Sequence, residues 1–325
     1  MTANKILVLY PPSHKHLGLF NDLKKRDDVI LICSELRFII RLLKRFLRFF
    51  VKDESKTDIF YSYKFYTHKK IFEYASALSS IIVIDGALNN LQTSILWDLK
   101  NKNNGLKFYL YMINSIDASS PLMMGVRKKY KEFAWDKIMT FDENDASKYG
   151  LQYFGFCYYS KYNIVRKKNP QFDVYFVGGD KGGRINMLYD IFETATKYGV
   201  NIHFDIYLIH NKNIVKHPEI NYITNKWLSY KEVLTKVQDC KCILEVLQIG
   251  QSGASLRYFE AVCYNKKLLT TNTEISKFPY YDSRWMKVFT RIEDIDWGWV
   301  LNDDNVDYHY QGDFSPNKLV DYVKN

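Results

Sequence analysis

The sequence has no long hydrophobic run. Hydrophobic residues make up 47% of its 325 positions and charged residues 25%, yet no apolar stretch reaches the roughly 18 residues of a membrane-spanning helix. The apolar run in the N-terminal MTANKILVLYPP covers about five residues, fewer than a secretory signal peptide contains. These absences argue against a membrane-spanning or secreted protein, and we expect a globular, cytoplasmic chain.

Cysteine is scarce, and its five positions are scattered along the chain. An odd number of cysteines, most of them inside apolar runs, is typical of thiols that pack as small hydrophobic side chains in a reducing compartment. Cys240 and Cys242 lack the two-residue gap of a zinc motif, and no second Cys or His pair lies nearby. We therefore predict neither disulfides nor a zinc site.

Several motifs of resident cofactors are also missing. The stretch GGDKGG does not match GxGxxG, and no acidic residue follows at the next strand end, which disfavours a dinucleotide oxidoreductase. No DxD-type motif lies at a strand end, and NDDN at 302–305 falls in a late polar segment that predicts a turn. We expect no bound metal and no resident cofactor.

The sequence does contain alternating strand and helix patterns in both halves. A chain of this length favours two domains of roughly 150 residues each. Continuous apolar runs, typical of parallel strands buried on both faces, predict strands in the first half at 5–10, 29–34, 80–86, 106–113 and 137–142. The aromatic and then basic segment 158–172 lacks a clear period and predicts an interdomain linker.

The second half repeats this alternation. Its predicted strands are 174–179, 203–210, 220–224, 241–247, 266–272 and 287–291, and its clearest predicted helices are 186–198, 230–239 and 254–264. The simplest architecture is two doubly wound, Rossmann-like α/β domains, 1–160 and 161–325. The last helix is the one element for which we also consider packing on the first domain.

The glycine-rich stretch DVYFVGGDKGGRINMLYDIF, 173–192, predicts a strand, a loop and a helix. Glycines such as Gly179 let a ligand approach the backbone closely, and the N-terminus of the following helix carries a partial positive charge. Lys181 and Arg184 add full positive charges. The stretch therefore predicts an anion site, and the alternative is a tight turn with solvated charges.

A second strand, loop and helix span 243–272. The loop contains Gln251, Ser252 and Gly253, and the following helix carries Arg257 and Glu260. We expect Glu260 to lie about two turns into the helix, near the ligand and outside the contact with the sheet, where a carboxylate accepts hydrogen bonds from sugar hydroxyls. The alternative is an ordinary surface glutamate.

The net charge of +10 is concentrated in one segment. Residues 36–52, LRFIIRLLKRFLRFFVK, contain no acidic residue, and the basic positions recur every three or four residues at Arg37, Arg41, Lys44, Arg45, Arg48 and Lys52. The pattern predicts an amphipathic helix with a cationic face, which favours an anionic membrane surface. A scaffold helix is the alternative. Nucleic acid is less favoured because no recognised binding motif accompanies the stripe.

Several of these motifs together resemble a known family. YFVGGDKGGR, YKEVLTKVQDCKCILEV, GQSGASLRYFEA and KKLLTTN, in this order, are similar to the nucleotide-sugar-binding half of bacterial GT-B glycosyltransferases that build surface polysaccharides such as lipopolysaccharide and capsule. DKIMTFDENDASKYGLQY, 136–153, resembles the end of the acceptor domain in the same group. Many such enzymes have two carboxylates with seven residues between them; Glu260 matches the second, but Ser252 stands in place of the first.

The resemblance implies a metal-independent transferase with an acceptor-binding first domain and a donor-binding second domain. The sugar would pass from a nucleotide-sugar co-substrate to a surface-polysaccharide or lipid-linked glycan, at the inner face of the membrane and without a nucleic-acid partner. The residues implied in donor binding are Gly179, Lys181, Arg184, Gln251, Ser252, Gly253, Arg257 and Glu260.

The acceptor side offers several candidates for the general base that an inverting enzyme needs. His16, with His14 beside it, Asp85 and Asp117 lie in loops after predicted strands. Each also has a structural interpretation, as a solvated loop histidine, a helix cap and a turn former. Two other functions stay open: a GT-B-like nucleotide-sugar epimerase, and a non-enzymatic nucleotide-binding or membrane-binding protein.

Overall fold

The computed structural model describes residues 5–12, 17–34, 71–91, 93–116, 121–165, 167–180, 184–208, 216–224, 227–247 and 253–325. The chain divides into two compact units. Unit 1 consists of Met1–Ser160 and Asp313–Asn325, and unit 2 consists of Lys161–Gly312. Each unit is built around one six-stranded sheet in which every described strand pairing is parallel.

The sheet of unit 1 has the strand order β2-β1-β3-β4-β5-β6. Its strands are β1 Lys5–Tyr10, β2 Val29–Cys33, β3 Leu78–Ile84, β4 Lys107–Met112, β5 Lys137–Thr140 and β6 Gln152–Tyr153. The first five strands confirm the predicted runs, because apolar side chains on both faces of β1, β3 and β4 are buried. The two-residue β6 has too few residues to show a periodic pattern, and sequence reasoning missed it.

The described α-helices of unit 1 are α1 Thr93–Lys102, α2 Pro121–Lys129, α3 Glu143–Tyr149 and, near the end of the chain, α8 Asn317–Lys324. A 3₁₀ helix, Asp85–Asn90, leaves β3 directly. Gly125 lets α2 approach this 3₁₀ helix closely, since a Cβ atom at Gly125 would lie 2.1 Å from Oδ1 of Asn89.

The C-terminal segment of the chain belongs to unit 1. Phe314, Leu319 and Val320 are buried there. The hydroxyl of Tyr322 contacts Nζ of Lys137 at 2.6 Å, and the ring of Tyr322 lies 4.7 Å from that of Phe154. Residues 313–325 therefore complete the core that residues 1–160 begin.

The sheet of unit 2 has the strand order β12-β11-β10-β7-β8-β9. Its strands are β7 Phe172–Gly179, β8 Ile202–Tyr207, β9 Asn221–Ile223, β10 Cys240–Glu245, β11 Lys267–Thr270 and β12 Met286–Val288, and its helices are α4 Arg184–Lys197, α5 Tyr230–Gln238, α6 Leu256–Tyr264 and α7 Trp297–Leu301. Two parallel sheets with flanking helices confirm the predicted doubly wound α/β architecture.

The two faces of the second sheet differ in polarity. Val174, Phe176 and Leu244 belong to an apolar core that also includes side chains of α4 and α7. Because side chains alternate along a strand, Tyr175 and Glu245 lie on the opposite face, with α5 and α6. That face carries most of the buried polar groups described below.

Candidate active site

The strand order of unit 2 reverses between β7 and β10. The order runs from β7 to β8 and β9 on one side and from β10 to β11 and β12 on the other. In open α/β sheets, ligands bind outside the carboxyl ends of the strands at such a switch point. The two loops predicted to bind anions follow β7 and β10, so the topology brings them to this point.

Arg184, the first residue of α4, ties the two central strands together. Its Nε donates to the carbonyl of Gly179 at 2.6 Å, and its Nη1 donates to the carbonyl of Val246 at 2.8 Å. A Cβ atom at Gly178 would lie 2.9 Å from Nη2 of Arg184 and from Cζ of Phe176, so a side chain here would require these groups to shift. Burial, and then the nearby Arg257, lower the pKa of Arg184. Arg184 thus holds the strand ends, a role that sequence reasoning did not identify.

Glu245, the last residue of β10, is a buried carboxylate that sequence reasoning missed. It accepts hydrogen bonds from the hydroxyls of Ser255 and Thr270, and burial raises its pKa. Ser255 is the N-cap of α6, because its hydroxyl accepts from the backbone N–H of Arg257 at 3.0 Å. Glu245 therefore fixes the start of α6 relative to the sheet.

Glu260 and Arg257 form a buried ion pair on α6. Nη2 of Arg257 lies 2.6 Å from Oε1 of Glu260, and the hydroxyl of Tyr230 donates to the same oxygen at 2.8 Å. Oε2 of Glu260 is buried and has no hydrogen-bond partner among the described residues. Burial raises the pKa of Glu260 to about 7, although Arg257 and Tyr230 lower it.

The position of Glu260 corrects the expectation from sequence. Glu260 is the fifth residue of α6 and is wholly buried, whereas we expected it two turns into the helix and outside the sheet contact. The expectation considered the faces of one helix alone. The neighbouring helix α5 contributes Tyr230, whose hydroxyl contacts Oε1 of the carboxylate.

A second buried network ties β7, β8, β9 and α5 together around Asp205. Its carboxylate accepts from Tyr175 at 2.8 Å, from Asn221 at 2.6 Å and from Lys236 at 2.7 Å. Burial alone would raise the pKa of Asp205, but the hydrogen bonds, first that from His203, lower it to about 2. With all of these donors in place, Asp205 acts as a structural tie.

A buried and an exposed aromatic ring form a pair beside the turn that follows β7. The rings of Tyr207 and Trp227 stack with centroids 4.1 Å apart, and Trp227 is 64% exposed. The backbone N–H of Leu228 donates to the hydroxyl of Tyr207, and that of Asp180 donates to its carbonyl. Trp227 follows a short strand in a segment without periodicity, so the neighbouring sequence did not indicate that it belongs to the site.

In unit 1, Asp85 directly follows β3, which forms the switch point of the first sheet with β1. Asp85 is wholly buried. Its carboxylate accepts from the backbone N–H groups of Gly86, Ile113 and Asn114, at 2.5, 3.1 and 3.0 Å. Burial raises its pKa to about 6, against these hydrogen bonds. Both oxygens are occupied, and this arrangement disfavours Asp85 as the general base.

The remaining predicted site residues divide into two groups. Gly179 and Gly253 are described, at the end of β7 and two residues before the N-cap of α6. The others lie outside the described residues and stay predictions: His14, His16, Asp117, Lys181, Gln251, Ser252 and the basic positions Arg37, Arg41, Lys44, Arg45, Arg48 and Lys52.

The described residues contain no group of three side chains suited to holding a metal ion. Asp303 and Asp304, the acidic pair of the late polar segment, form ion pairs with Lys241 at 3.1 Å and with Lys267 at 2.5 Å. Both lysines belong to the amino-terminal halves of their strands, away from the switch point. None of the described helices has the length and apolarity needed to cross a membrane.

No protein-family model and no curated protein sequence matches the chain. Solved structures do match. An α-glucosyltransferase in complex with UDP-glucose and DNA containing an abasic site is similar at a TM-score of 0.60 and 10% identity, over 99% of each chain. The glycotransferase of kitacinnamycin is similar at a TM-score of 0.53 and 9% identity, over 100% of this chain and 99% of the other.

An α-glucosyltransferase in complex with UDP and a 13-mer DNA containing a central A:G mismatch is similar at a TM-score of 0.60 and 12% identity, over 98% of this chain and 100% of the other. The chain has the GT-B glycosyltransferase fold. At such identities the comparisons establish the fold alone. The expected absence of a nucleic-acid partner gains no support from them, because two of these structures contain DNA.

Proposed function

We propose that the protein is a glycosyltransferase whose unit 2 binds a nucleotide-sugar donor and whose unit 1 binds the acceptor. The observation that carries the proposal is the site at the switch point of unit 2. There, Arg184 bridges the ends of β7 and β10, and the Arg257–Glu260 pair lies in the first turns of α6. One buried oxygen of Glu260 has no partner among the described residues. Cationic groups and an unsatisfied carboxylate oxygen suit a ligand with both phosphates and hydroxyls.

The positive groups of this site bind the phosphates of the donor. Lys181, Arg257 and the N-terminus of α6 supply positive charge or N–H donors, and Arg184 adds charge while it holds the strand ends. These groups stabilise the negative charge that develops on a departing nucleoside diphosphate. With these cations in place, the transfer needs no bound metal.

Glu260 binds the sugar hydroxyls of the donor. Its buried Oε2 accepts a hydrogen bond from a hydroxyl group, which removes the cost of leaving a buried acceptor without a partner. Arg257 and Tyr230 hold the other oxygen and so fix the orientation of the carboxylate. Ser252, which stands where many of the enzymes that the sequence resembles have the first of their two carboxylates, supplies only a neutral hydroxyl.

The base of the nucleotide stacks on Trp227. An exposed indole ring that Tyr207 supports from behind is a preformed flat surface one strand away from the Gly179–Asp180 turn. Bases stack on such aromatic faces with little preference for sequence or base type. UDP-glucose is the first donor to test, since UDP-sugars are bound in similarly folded glucosyltransferases.

The acceptor is a glycan or a lipid-linked glycan of a bacterial surface polysaccharide, and the basic segment 36–52 holds the enzyme at the inner face of the membrane. With Asp85 disfavoured, His16 and Asp117 are the two candidates for the general base. The lipid-linked acceptor rests on the cationic and apolar pattern of 36–52, which favours the headgroup region of an anionic membrane.

The decisive experiment measures nucleotide release from UDP-, GDP-, CMP- and dTDP-sugars in EDTA, with lipopolysaccharide, methyl glycosides or hydroxymethylated DNA as acceptors. We expect release from one donor class, and a loss of roughly tenfold or more in kcat/KM for Glu260→Ala. Glu219→Ala, an exposed glutamate of the same unit, is the matched control.

Four other results would contradict all or part of the proposal. Release from none of the donors would remove the transferase function, and release that needs added Mg²⁺ or Mn²⁺ would remove metal independence. An isomerised sugar that stays attached to its nucleotide would identify an epimerase instead. Transfer to DNA alone would keep the activity but replace the glycan acceptor.

A further inference from the structure

The segment that leaves β4, Ile113–Ile116, is held by two buried carboxylates from other elements. Asp85, after β3, accepts from the N–H groups of Ile113 and Asn114. Asp145 of α3, only 2% exposed, accepts from the N–H of Ile116 at 2.7 Å and from the hydroxyl of Ser115 at 3.4 Å. Four consecutive residues at the carboxyl edge of the first sheet are therefore fixed in place.

The same bonds determine how Asn114 is oriented. Its Nδ2 lies 3.2 and 3.0 Å from the two oxygens of Asp85. A carboxylate without a proton only accepts hydrogen bonds, so the amide nitrogen of Asn114 faces Asp85 and the carbonyl oxygen faces away from it. No hydrogen bond to this oxygen comes from the described part of the chain, and Asn114 is half-buried.

Ser115 presents a second oxygen with a defined orientation. Its hydroxyl donates its only hydrogen to Asp145, which leaves the lone pairs of the oxygen as acceptors. Ser115 is half-buried as well. Asn114 and Ser115 thus offer two hydrogen-bond acceptors at one edge of the sheet. The carboxylates of Asp85 and Asp145 fix the orientation of these acceptors.

The location of these oxygens is that of a ligand site. β4 is adjacent to β3, which forms the switch point of the first sheet with β1. Ligands of such sheets bind beyond the carboxyl ends of the strands. Two acceptor oxygens at neutral side chains suit a ligand that donates hydrogen bonds without carrying charge, and carbohydrate hydroxyl groups are donors of this kind.

We propose that Asn114 and Ser115 bind hydroxyl groups of a carbohydrate acceptor and that Asp85 and Asp145 are positioning residues for them. The inference rests on the proposed glycosyltransferase function and extends it to the acceptor side. Holding the two side chains in their bound orientation before the ligand arrives lowers the ordering cost of binding. Asp85 thereby gains a role without contacting the substrate.

The test uses steady-state kinetics with UDP-glucose as donor and a panel of methyl glycosides of glucose, galactose, mannose and N-acetylglucosamine as acceptors. For Asn114→Ala and Ser115→Ala we expect the acceptor KM to rise roughly tenfold, which corresponds to the loss of one hydrogen bond. We expect the donor KM to stay within about twofold. Asn103→Ala is the matched control, since Asn103 is also half-buried but caps the turn at the amino end of β4.

Asp85→Asn and Asp145→Asn test the positioning role. Each replaces an oxygen that accepts N–H groups by an amide nitrogen, so the acceptor KM should rise as in Asn114→Ala and the donor KM should not. Asp142→Asn is the control, because Asp142 caps α3 through the N–H groups of Asn144 and Asp145 without contacting the segment. A loss of stability alone would lower the active fraction and leave both KM values unchanged.

The outcomes separate the two proposals. An acceptor KM that is unchanged in Asn114→Ala, while the wild type transfers glucose, would overturn the inference and leave the transferase function intact. Donor hydrolysis without transfer to any glycoside would also overturn it, since it requires a carbohydrate acceptor. Release of UDP from no donor at all would remove both.

Discussion

Glu260 has an unusual environment for a charged side chain. A wholly buried carboxylate normally has partners for both of its oxygens, because an unsatisfied buried acceptor is costly. Here Arg257 and Tyr230 share one oxygen, and the other has no partner among the described residues. The protein without ligand carries this cost. In the proposed function a ligand hydroxyl that bonds this oxygen would remove it, so Glu260 would favour the bound state over the free one.

The raised pKa of Glu260 predicts a specific dependence of stability on pH. The pKa of Glu260 is about 7 in the folded protein, against an ordinary value of 4.5. Between these values the folded state binds more protons than the unfolded state, so the free energy of unfolding falls as pH rises. Glu260→Gln lacks this proton, and its stability relative to wild type should increase by about 3 kcal/mol from roughly pH 5 to pH 8.

Urea denaturation of both proteins at the two pH values measures this difference, with Glu219→Gln as an exposed control. A difference between Glu260→Gln and wild type that does not change with pH would show that Glu260 is ionised throughout. Asp85, whose pKa is raised to about 6, is present in both proteins and cancels in the comparison.

Trp227 carries the second prediction at the residue scale. Trp227→Ala removes the stacking surface and should weaken binding of UDP by about 1–3 kcal/mol. The matched control is Tyr198→Ala, because Tyr198 is equally exposed, at 64%, and stacks on Trp297. Isothermal titration calorimetry should show full affinity in the control, and an undiminished affinity in Trp227→Ala would contradict the stacking assignment.

At the scale of elements, the start of α6 depends on a chain of hydrogen bonds from the sheet. Thr270 and Ser255 donate to Glu245, and Ser255 also caps the helix. Ser255→Ala removes the cap and a donor to a buried carboxylate, and we expect a loss of about 1–3 kcal/mol in unfolding free energy. Thermal and urea unfolding measure this loss.

Nucleotide affinity provides a second test of the N-terminus of α6, this time of its role in binding. Because Ser255 fixes the N-terminus of α6, Ser255→Ala should also weaken binding of UDP. The N-cap residue of α5, Ser229, provides the control: Ser229→Ala also loses a helix cap but no bond to Glu245. Equal loss of nucleotide affinity in both variants would contradict a special role for α6.

The basic segment 36–52 supports a prediction that needs only its sequence. Each Lys or Arg near an anionic surface contributes roughly 1 kcal/mol, reduced by salt. Replacing Arg41, Lys44, Arg45 and Arg48 by Gln should abolish sedimentation with anionic liposomes at low salt while nucleotide affinity stays unchanged. If the wild-type protein does not sediment with such liposomes, the segment is a scaffold helix.

The strands were predictable because buried parallel strands are continuous apolar runs, and the fold class followed from their alternation with helices. The roles of the polar residues inside that pattern were not predictable. Glu245 and Asp205 lie within strands, and their partners come from distant parts of the chain, such as Thr270 and Lys236. Local patterns contain no information on such pairs, so their burial and hydrogen bonds needed the tertiary structure.

The candidate site was predictable only in part. Glycines and cations after β7 and β10 pointed to the carboxyl edge of the sheet, because loop chemistry is local. The role of Arg184 between the two strand ends, and the hydrogen bond from Tyr230 of α5 to Glu260, depend on contacts between elements. Stacking of Trp227 on Tyr207 likewise joins a loop residue to a strand that precedes it in the chain.

At the scale of the whole molecule, unit 1 depends on both ends of the described chain. Removing residues 313–325 deletes Phe314, Leu319 and Val320 from its core. Burial of each such side chain contributes about 1.5–3 kcal/mol, and together they approach the total stability of a typical domain. We expect the shortened chain to lose the folded state of unit 1.

Circular dichroism and dye binding to exposed apolar surface would detect this loss, and Lys318→Ala, at an exposed position of the same segment, is the control. Unit 2 lies entirely within 161–312, so binding of UDP to the shortened chain should persist. A shortened chain with an unchanged unfolding transition would contradict the contribution of α8.

Unit 2 is therefore an insertion in unit 1. The chain leaves unit 1 after Ser160 and returns at Asp313, and the backbone N–H of Tyr159 donates to the carbonyl of Phe314 at 2.9 Å. The exit and re-entry points are thus adjacent. During synthesis, all of unit 2 emerges from the ribosome before unit 1 receives its last helix, so the first unit to begin is the last to be completed.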